Sequence, residues 1–177
     1  MEARKRRRGL IIVYTGSGKG KTTAALGTAF RAAGYDMRIL IVQFIKGAWH
    51  YGELDAAKRH PTFEIYPMGE GFTWVTKDRE RDIQKAEEAW QFALKKIKDG
   101  NYDMLILDEI NYVIKYGFLD VKEVIQFLRE KDEALHVILT GRDAHPSIIE
   151  IADLVTDMKE VKHPFKKGIK AQRGIEY

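Results

Sequence analysis

Four apolar runs recur along the chain, at residues 10–14, 38–45, 104–107 and 136–140. Runs of four to eight apolar residues, uninterrupted by polar positions at a spacing of two, are the pattern of strands buried on both faces. Residues 62–67 form a further strand candidate, and residues 153–158 a last edge strand. Between the runs the apolar spacing changes to that of helices. A segment rich in small residues, from about Gly20 to Ala33, predicts a helix that lies close on a sheet and stops at Gly34 as a left-handed cap. Ile83, Ala86, Trp90, Ala93, Leu94 and Ile97 keep helical spacing. Asp78, Glu80 and Asp82 stand at the start of that segment, and Lys95, Lys96 and Lys98 at its end, each suited to the helix dipole. Asp120 and Glu123 resemble a capping box opening a helix with Val121, Val124, Ile125 and Leu128 inward. Pro146 suits the first position of a helix running through Ala152. A short helix is expected before Pro61. Strands alternating with helices predict an α/β fold with a mainly parallel sheet and helices on both faces.

In such folds ligands bind at the carboxyl ends of the strands, and the residues with chemistry collect there. After the first run comes Thr15-Gly16-Ser17-Gly18-Lys19-Gly20-Lys21-Thr22-Thr23. Strand, glycine loop and helix together form a phosphate-binding loop, whose backbone N–H groups and helix N-terminus face anionic oxygens. Lys21 is placed to reach the outer phosphates, and the Thr22 hydroxyl to ligate Mg²⁺. The usual first glycine falls on Thr15, so the tight turn is expected one residue late, at Gly16. Gln43 stands near the end of the second run and Lys46 directly after it. Asp108-Glu109 follows the run at 104–107 as a Walker-B pair, in which a carboxylate meets the metal held by the loop threonine. The second carboxylate is either a base for water or itself the ligand. Arg142 follows the run at 136–140, as a phosphate contact or a structural salt bridge. These features point to Mg·ATP binding and leave open what is done with the nucleotide.

Composition narrows the classes. A chain of 177 residues without cysteine has no disulfide, thiolate metal site or cysteine nucleophile. Its two serines lie outside any nucleophile elbow, and its five histidines lack metal-ligand spacing, so His136 is expected as a core histidine. No apolar run approaches the roughly 18 residues of a membrane span, and a cytoplasmic location is expected. The net charge of +4 comes from residues 1–8, a basic arm with five Lys/Arg and one Glu; residues 9–177, expected as a single domain, carry 25 residues of each sign. A nucleic-acid partner is therefore not expected.

One constellation is more specific. Residues 15–25, 42–47 (Val-Gln-Phe-Ile-Lys-Gly), 71–74 (Gly-Phe-Thr-Trp), 107–109 (Leu-Asp-Glu), 140–142 (Thr-Gly-Arg), 161–163 (Val-Lys-His) and the tail 171–177 occur in this order. With them the chain, from about Gly9 to Tyr177, resembles the P-loop-type ATP:corrinoid adenosyltransferases. The resemblance implies a three-layer, RecA-like P-loop NTPase fold. It implies attack by Co(I) of a corrinoid on the 5′-carbon of ATP, with triphosphate leaving, in adenosylcobalamin biosynthesis or salvage. It implies ATP, Mg²⁺ (or Mn²⁺) and a corrinoid at the site, a reduced flavin or flavoprotein as electron donor, and a homodimer. Residues 15–23, Gln43, Lys46 and Arg142 then contact nucleotide. Thr22 and Glu109, with Asp108 beside them, hold the metal. Lys21 acts on the triphosphate. Phe72 and Trp74 pack against the corrin face or, alternatively, form an apolar lid over the core. Ser17 stands where family members often have Asn, and the arm is shorter than the helical extension of some relatives. The competing function is a P-loop ATPase or nucleotide switch acting on nucleic acid; a triphosphate product distinguishes the two from ADP and phosphate.

Overall fold

Every strand pairing in the sheet is parallel. The computed structural model describes residues 8–47, 50–71 and 78–177. In chain order the elements are β1 (Ile11–Thr15), α1 (Lys21–Ala33), β2 (Ile39–Gln43), α2 (Gly52–Ala57), β3 (Phe63–Pro67), α3 (Arg79–Asp99), β4 (Met104–Asp108), α4 (Ile110–Lys115), α5 (Val121–Glu130), β5 (His136–Thr140), α6 (Pro146–Ile151) and β6 (Leu154–Asp157), followed by a 3₁₀ turn at Pro164–Lys167. The strands lie in the order β3-β2-β4-β5-β1-β6. β5 thus separates the strand that carries the glycine loop from the strand that carries Asp108.

Alternate residues of each strand enter opposite halves of the core. Ile12, Ile39, Ile41, Met104, Ile106 and Ile138 meet Ala25, Ala29 and Ala32 of α1. The alanines let that helix lie close, as its composition predicts. On the other face, Val13, Leu40, Val42, Leu105, Leu107 and Leu139 pack on α3, α4, α5 and α6 through residues such as Trp90, Ile110, Leu128 and Ile148. The result is three layers with helices on both faces. Trp90 is 1% exposed, in keeping with its place on the apolar stripe of α3. β6 is an exposed edge strand, paired among the described residues with β1 alone. Among the described residues, no helix is long and apolar enough to cross a membrane.

Local details depart from the sequence pattern in three places. Gly34 closes α1 in right-handed geometry (φ −63°); the left-handed residue is Asp36, two positions on (φ 56°). Asp120 caps α5 by accepting from Lys122 N at 2.9 Å, one residue short of the capping-box geometry. α4 was not legible, because its six residues start directly after the Asp108-Glu109 turn. His136 is satisfied: its Nδ1 accepts from Leu10 N at 3.1 Å. Arg8, the last residue of the basic arm, is ion-paired with Asp153 at 2.8 Å. Residues 1–7 of the arm lie outside the described residues.

Candidate active site

The glycine loop turns where the shifted motif predicts. Thr15 is still strand, and Gly16 takes the first positive φ, +99°. A side chain at Gly16 would collide with Asp157 and the Met158 backbone, so glycine is required by space as well as by φ. Gly20 has φ +106° and hands the chain directly to α1, leaving the N-terminal N–H groups of that helix facing the loop. Lys21 bends back into the loop, donating from Nζ to Gly16 O at 2.9 Å and Gly18 O at 2.6 Å. Burial pushes its pKa down, and the Glu109 carboxylate opposes that shift.

The sheet register brings a second group of residues to the same level. Gln43 pairs with Asp108 across β2 and β4, and Leu107 with Leu139 across β4 and β5, so Asp108 ends its strand beside Gln43 and Thr140. All three are buried. Asp108 Oδ1 accepts from Thr22 Oγ1 at 2.8 Å and from Thr140 Oγ1 at 2.7 Å, while Oδ2 accepts from Gln43 Nε2 at 3.1 Å. A buried carboxylate with three donors is held in one orientation. Thr140 Oγ1 also accepts from Glu109 N at 2.8 Å. That bond holds Glu109 in a left-handed backbone conformation (φ 66°), uncommon for a residue with a side chain. Glu109 Oε2 is buried with no hydrogen-bond partner among the described residues. Burial, then the neighbouring Asp108 charge, raises the Glu109 pKa to about 7 against the pull of Lys21, Lys46 and Arg142.

Lys46 leaves the end of β2 and enters the same region. Its ammonium lies 4.7 Å above the Tyr51 ring, forms an ion pair with Glu53, and stands 3.9 Å from Asp108 Oδ2. Glu53, in the first turn of α2, also faces Gln43 Nε2 at 3.4 Å. Burial alone would raise the Glu53 pKa, but Lys46 and Gln43 hold it below the usual carboxylate value.

These groups border an open cleft of about 600 Å³. Of the sequence candidates, Gly18, Lys19, Gly20, Lys21, Thr22, Thr23, Lys46, Glu109 and Arg142 line it. Asp108 and Gln43 sit behind that wall, reaching it through Thr22 and Lys46. Thr15, Gly16 and Ser17 form the back of the loop: Thr15 Oγ1 accepts from Ala144 N at 3.1 Å, and Ser17 Oγ accepts weakly from Glu160 N at 3.4 Å. Lys19 is ion-paired with Glu176 of the tail. Phe72 and Trp74 lie outside the described residues. Glu53 and Tyr112 also line the cleft and were not sequence candidates. Thr140, which holds Asp108, and the lining tail residues Gly174, Ile175, Glu176 and Tyr177 belong to segments that carry the resemblance but were given no role at the site. The strand order, which alone places Thr140 between β4 and β1, was the missing information. Chemically, the cleft offers four cationic side chains and a loop of backbone donors to a polyphosphate. Beside them stand hard oxygen donors, Thr22 Oγ1 and the carboxylates of Asp108 and Glu109, of the kind Mg²⁺ takes.

Similarity to known proteins agrees with this geometry. The chain is 48% identical over 170 residues to a corrinoid adenosyltransferase of Escherichia coli (strain K12), covering 96% of this chain and 86% of that protein. It is 50% identical over 173 residues to a corrinoid adenosyltransferase of Sinorhizobium sp., covering 96% and 81%. Among solved structures, the KaiC-like protein PH0186 of Pyrococcus horikoshii OT3 superposes with a TM-score of 0.52 over 88% of this chain and 74% of that one. At 19% identity this likeness shows the RecA-like P-loop fold alone. Residues 7–177 match the model of a single family, and the chain belongs to it: the ATP:corrinoid adenosyltransferases BtuR/CobO/CobP.

Proposed function

We propose that this protein transfers the 5′-deoxyadenosyl group of ATP to Co(I) of a corrinoid and releases inorganic triphosphate. The observation that carries the reading is the pair Lys21 and Thr22 on the wall of one cleft, with Asp108 behind it and its Oδ1 2.8 Å from Thr22 Oγ1, in a chain of this family. The cobalt electron pair forms the bond to C5′, the C5′–O5′ bond breaks, and its electron pair leaves on the triphosphate. No proton is abstracted, so no general base is needed. The work left to the protein is charge neutralisation and alignment.

The residues divide that work. Lys21 exchanges its loop carbonyls for phosphate oxygens as the nucleotide enters. Lys19, Lys46 and Arg142 add positive charge along the triphosphate, and residues 15–23 supply backbone donors and their hydroxyls. Asp108, fixed by Thr140 and Gln43, orients the Thr22 hydroxyl. The donor set fits Mg²⁺, which Thr22, Glu109 and Asp108 would hold, with phosphate oxygens and water completing its shell. Glu109 Oε2, buried without a hydrogen-bond partner among the described residues, supports that assignment. When bound, the cation neutralises phosphate charge. Phe72 and Trp74 are assigned to the corrin side. Apolar groups there exclude water and offer no lone pair to cobalt, which eases reduction of Co(II).

The protein works in this reading as a cytoplasmic homodimer supplied with electrons by a reduced flavin or flavoprotein. The deciding experiment is phosphorus NMR of the products after reaction with Mg·ATP and chemically reduced cobalamin. Inorganic triphosphate supports attack at carbon. ADP with phosphate overturns the reading in favour of a γ-phosphoryl hydrolase.

A further inference from the structure

Glu53 carries a negative charge into a cleft that takes a polyanion, and the adenosyl transfer gives it no task. Glu109 and Glu176 line the cleft with it, and Asp108 stands behind the wall. Its side chain is only 16% exposed. An isolated carboxylate at this place repels the triphosphate, so its presence asks for a compensating contact.

That contact is Lys46. The Lys46 side chain is long and flexible, with four rotatable bonds between backbone and ammonium. Three things fix it here. Tyr51 lies under its ammonium, Glu53 binds it as an ion pair, and Asp108 attracts it from 3.9 Å. Gln43 Nε2 locks the arrangement from behind, spanning Asp108 Oδ2 at 3.1 Å and Glu53 Oε1 at 3.4 Å. Glu53 in turn is held by the first turn of α2. Lys46 is thereby kept on the wall of the cleft that Lys21 also lines.

We infer that Glu53 is a positioning residue for the triphosphate: it holds the Lys46 ammonium on the cleft wall before ATP arrives. This inference rests on the triphosphate reading of the cleft. Holding the rotamer in the free protein removes its ordering cost from the binding step, which is how preorganisation raises affinity. The gain from a fixed charge-assisted contact outweighs the through-space repulsion between Glu53 and phosphate, because Glu53 is already neutralised by the lysine it grips.

The two effects have opposite signs, so a measurement separates them. If Glu53 acted only as a charge, its removal would tighten anion binding. If it positions Lys46, its removal loosens binding. The experiment is titration calorimetry of Mg·ATP and of inorganic triphosphate with Mg²⁺, on the wild type, Glu53→Ala, Lys46→Ala and the double variant. Glu53→Ala is expected to weaken both ligands about three- to tenfold, in line with partial loss of one charged hydrogen bond. In the Lys46→Ala background the same substitution is expected to leave affinity unchanged or tighten it, since only repulsion remains. A merely structural role predicts equal losses in both backgrounds and a lowered melting temperature. Tightening by Glu53→Ala in the wild-type background overturns the inference, as does an equal loss in both. If Glu53→Ala does not fold, Glu53→Gln is carried through the same cycle. Absence of ATP and triphosphate binding by the wild type overturns instead the reading on which this rests.

Discussion

Thr140→Val removes one oxygen and replaces it with a methyl group of nearly the same volume. Thr140 is 0% exposed, so water does not reach the gap. Two hydrogen bonds disappear, one donated to Asp108 Oδ1 at 2.7 Å and one accepted from Glu109 N at 2.8 Å. A bond to a charged acceptor contributes about 1.5–3 kcal/mol, and a buried N–H left without a partner costs about 1–3 kcal/mol. Glu109 also loses the contact that holds its left-handed backbone. Together these predict a destabilisation of about 3–5 kcal/mol, against a total stability of about 5–15 kcal/mol for a domain. For a chain of this size each kcal/mol lowers the melting temperature by about 2–4 °C, so a fall of roughly 10 °C is expected. The assay is urea unfolding with calorimetric melting, the urea slope serving as a check that the unfolded surface is unchanged. A loss below about 1 kcal/mol would refute the reasoning. It would mean that Asp108 and the Glu109 N–H find other partners at no cost, and that the dry, fully bonded carboxylate is not a feature of the site.

Further outcomes follow from the same structure. Lys21→Ala should weaken Mg·ATP binding by at least tenfold, measured by calorimetry, with little change in melting temperature, because its ammonium donates to carbonyls of the loop itself. Burial alone would raise the Glu64 pKa, but Lys96, Tyr102 and Tyr66 bring it from 4.5 to about 2 in the folded protein. A depressed carboxylate contributes stability above its unfolded pKa and loses it as pH falls toward the folded value. Unfolding between pH 5 and pH 2 should therefore show a drop of about 2 kcal/mol, allowing for solvent screening, that Glu64→Gln abolishes. Phe72→Ala and Trp74→Ala should slow adenosylcobalamin formation most from Co(II) with a mild flavin reductant, and little when Co(I) is supplied; equal losses in both regimes would remove the redox role.

The glycine loop could be read from the sequence down to its one-residue shift, because φ at Gly16 and the start of α1 are set by neighbours in the chain. The strands were legible for the same local reason: uninterrupted apolar residues demand burial on both faces. What sequence could not supply was adjacency. Thr140 ends an apolar run, and its bonds to Asp108 and Glu109 exist because β5 lies between β4 and β1. Glu53 belongs to a segment with turn-like composition, and nothing local marks it as facing Gln43 and Lys46. The left-handed residue after α1 moved from Gly34 to Asp36, since the chain makes an extra turn before entering β2. In each case the deciding contact joins residues distant in sequence or a turn whose geometry several residues share.

The central claim is that the cleft directs ATP for attack at its 5′-carbon by a corrinoid. Cob(I)alamin, generated chemically under anaerobic conditions, is mixed with the protein and Mg·ATP, and the absorption spectrum is followed while the phosphorus products are counted. The account predicts the spectrum of adenosylcobalamin growing in step with one triphosphate per cobalt, in the presence of the protein and not with the Lys21→Ala variant. ATP consumed to ADP and phosphate, with the cob(I)alamin spectrum unchanged, would contradict it.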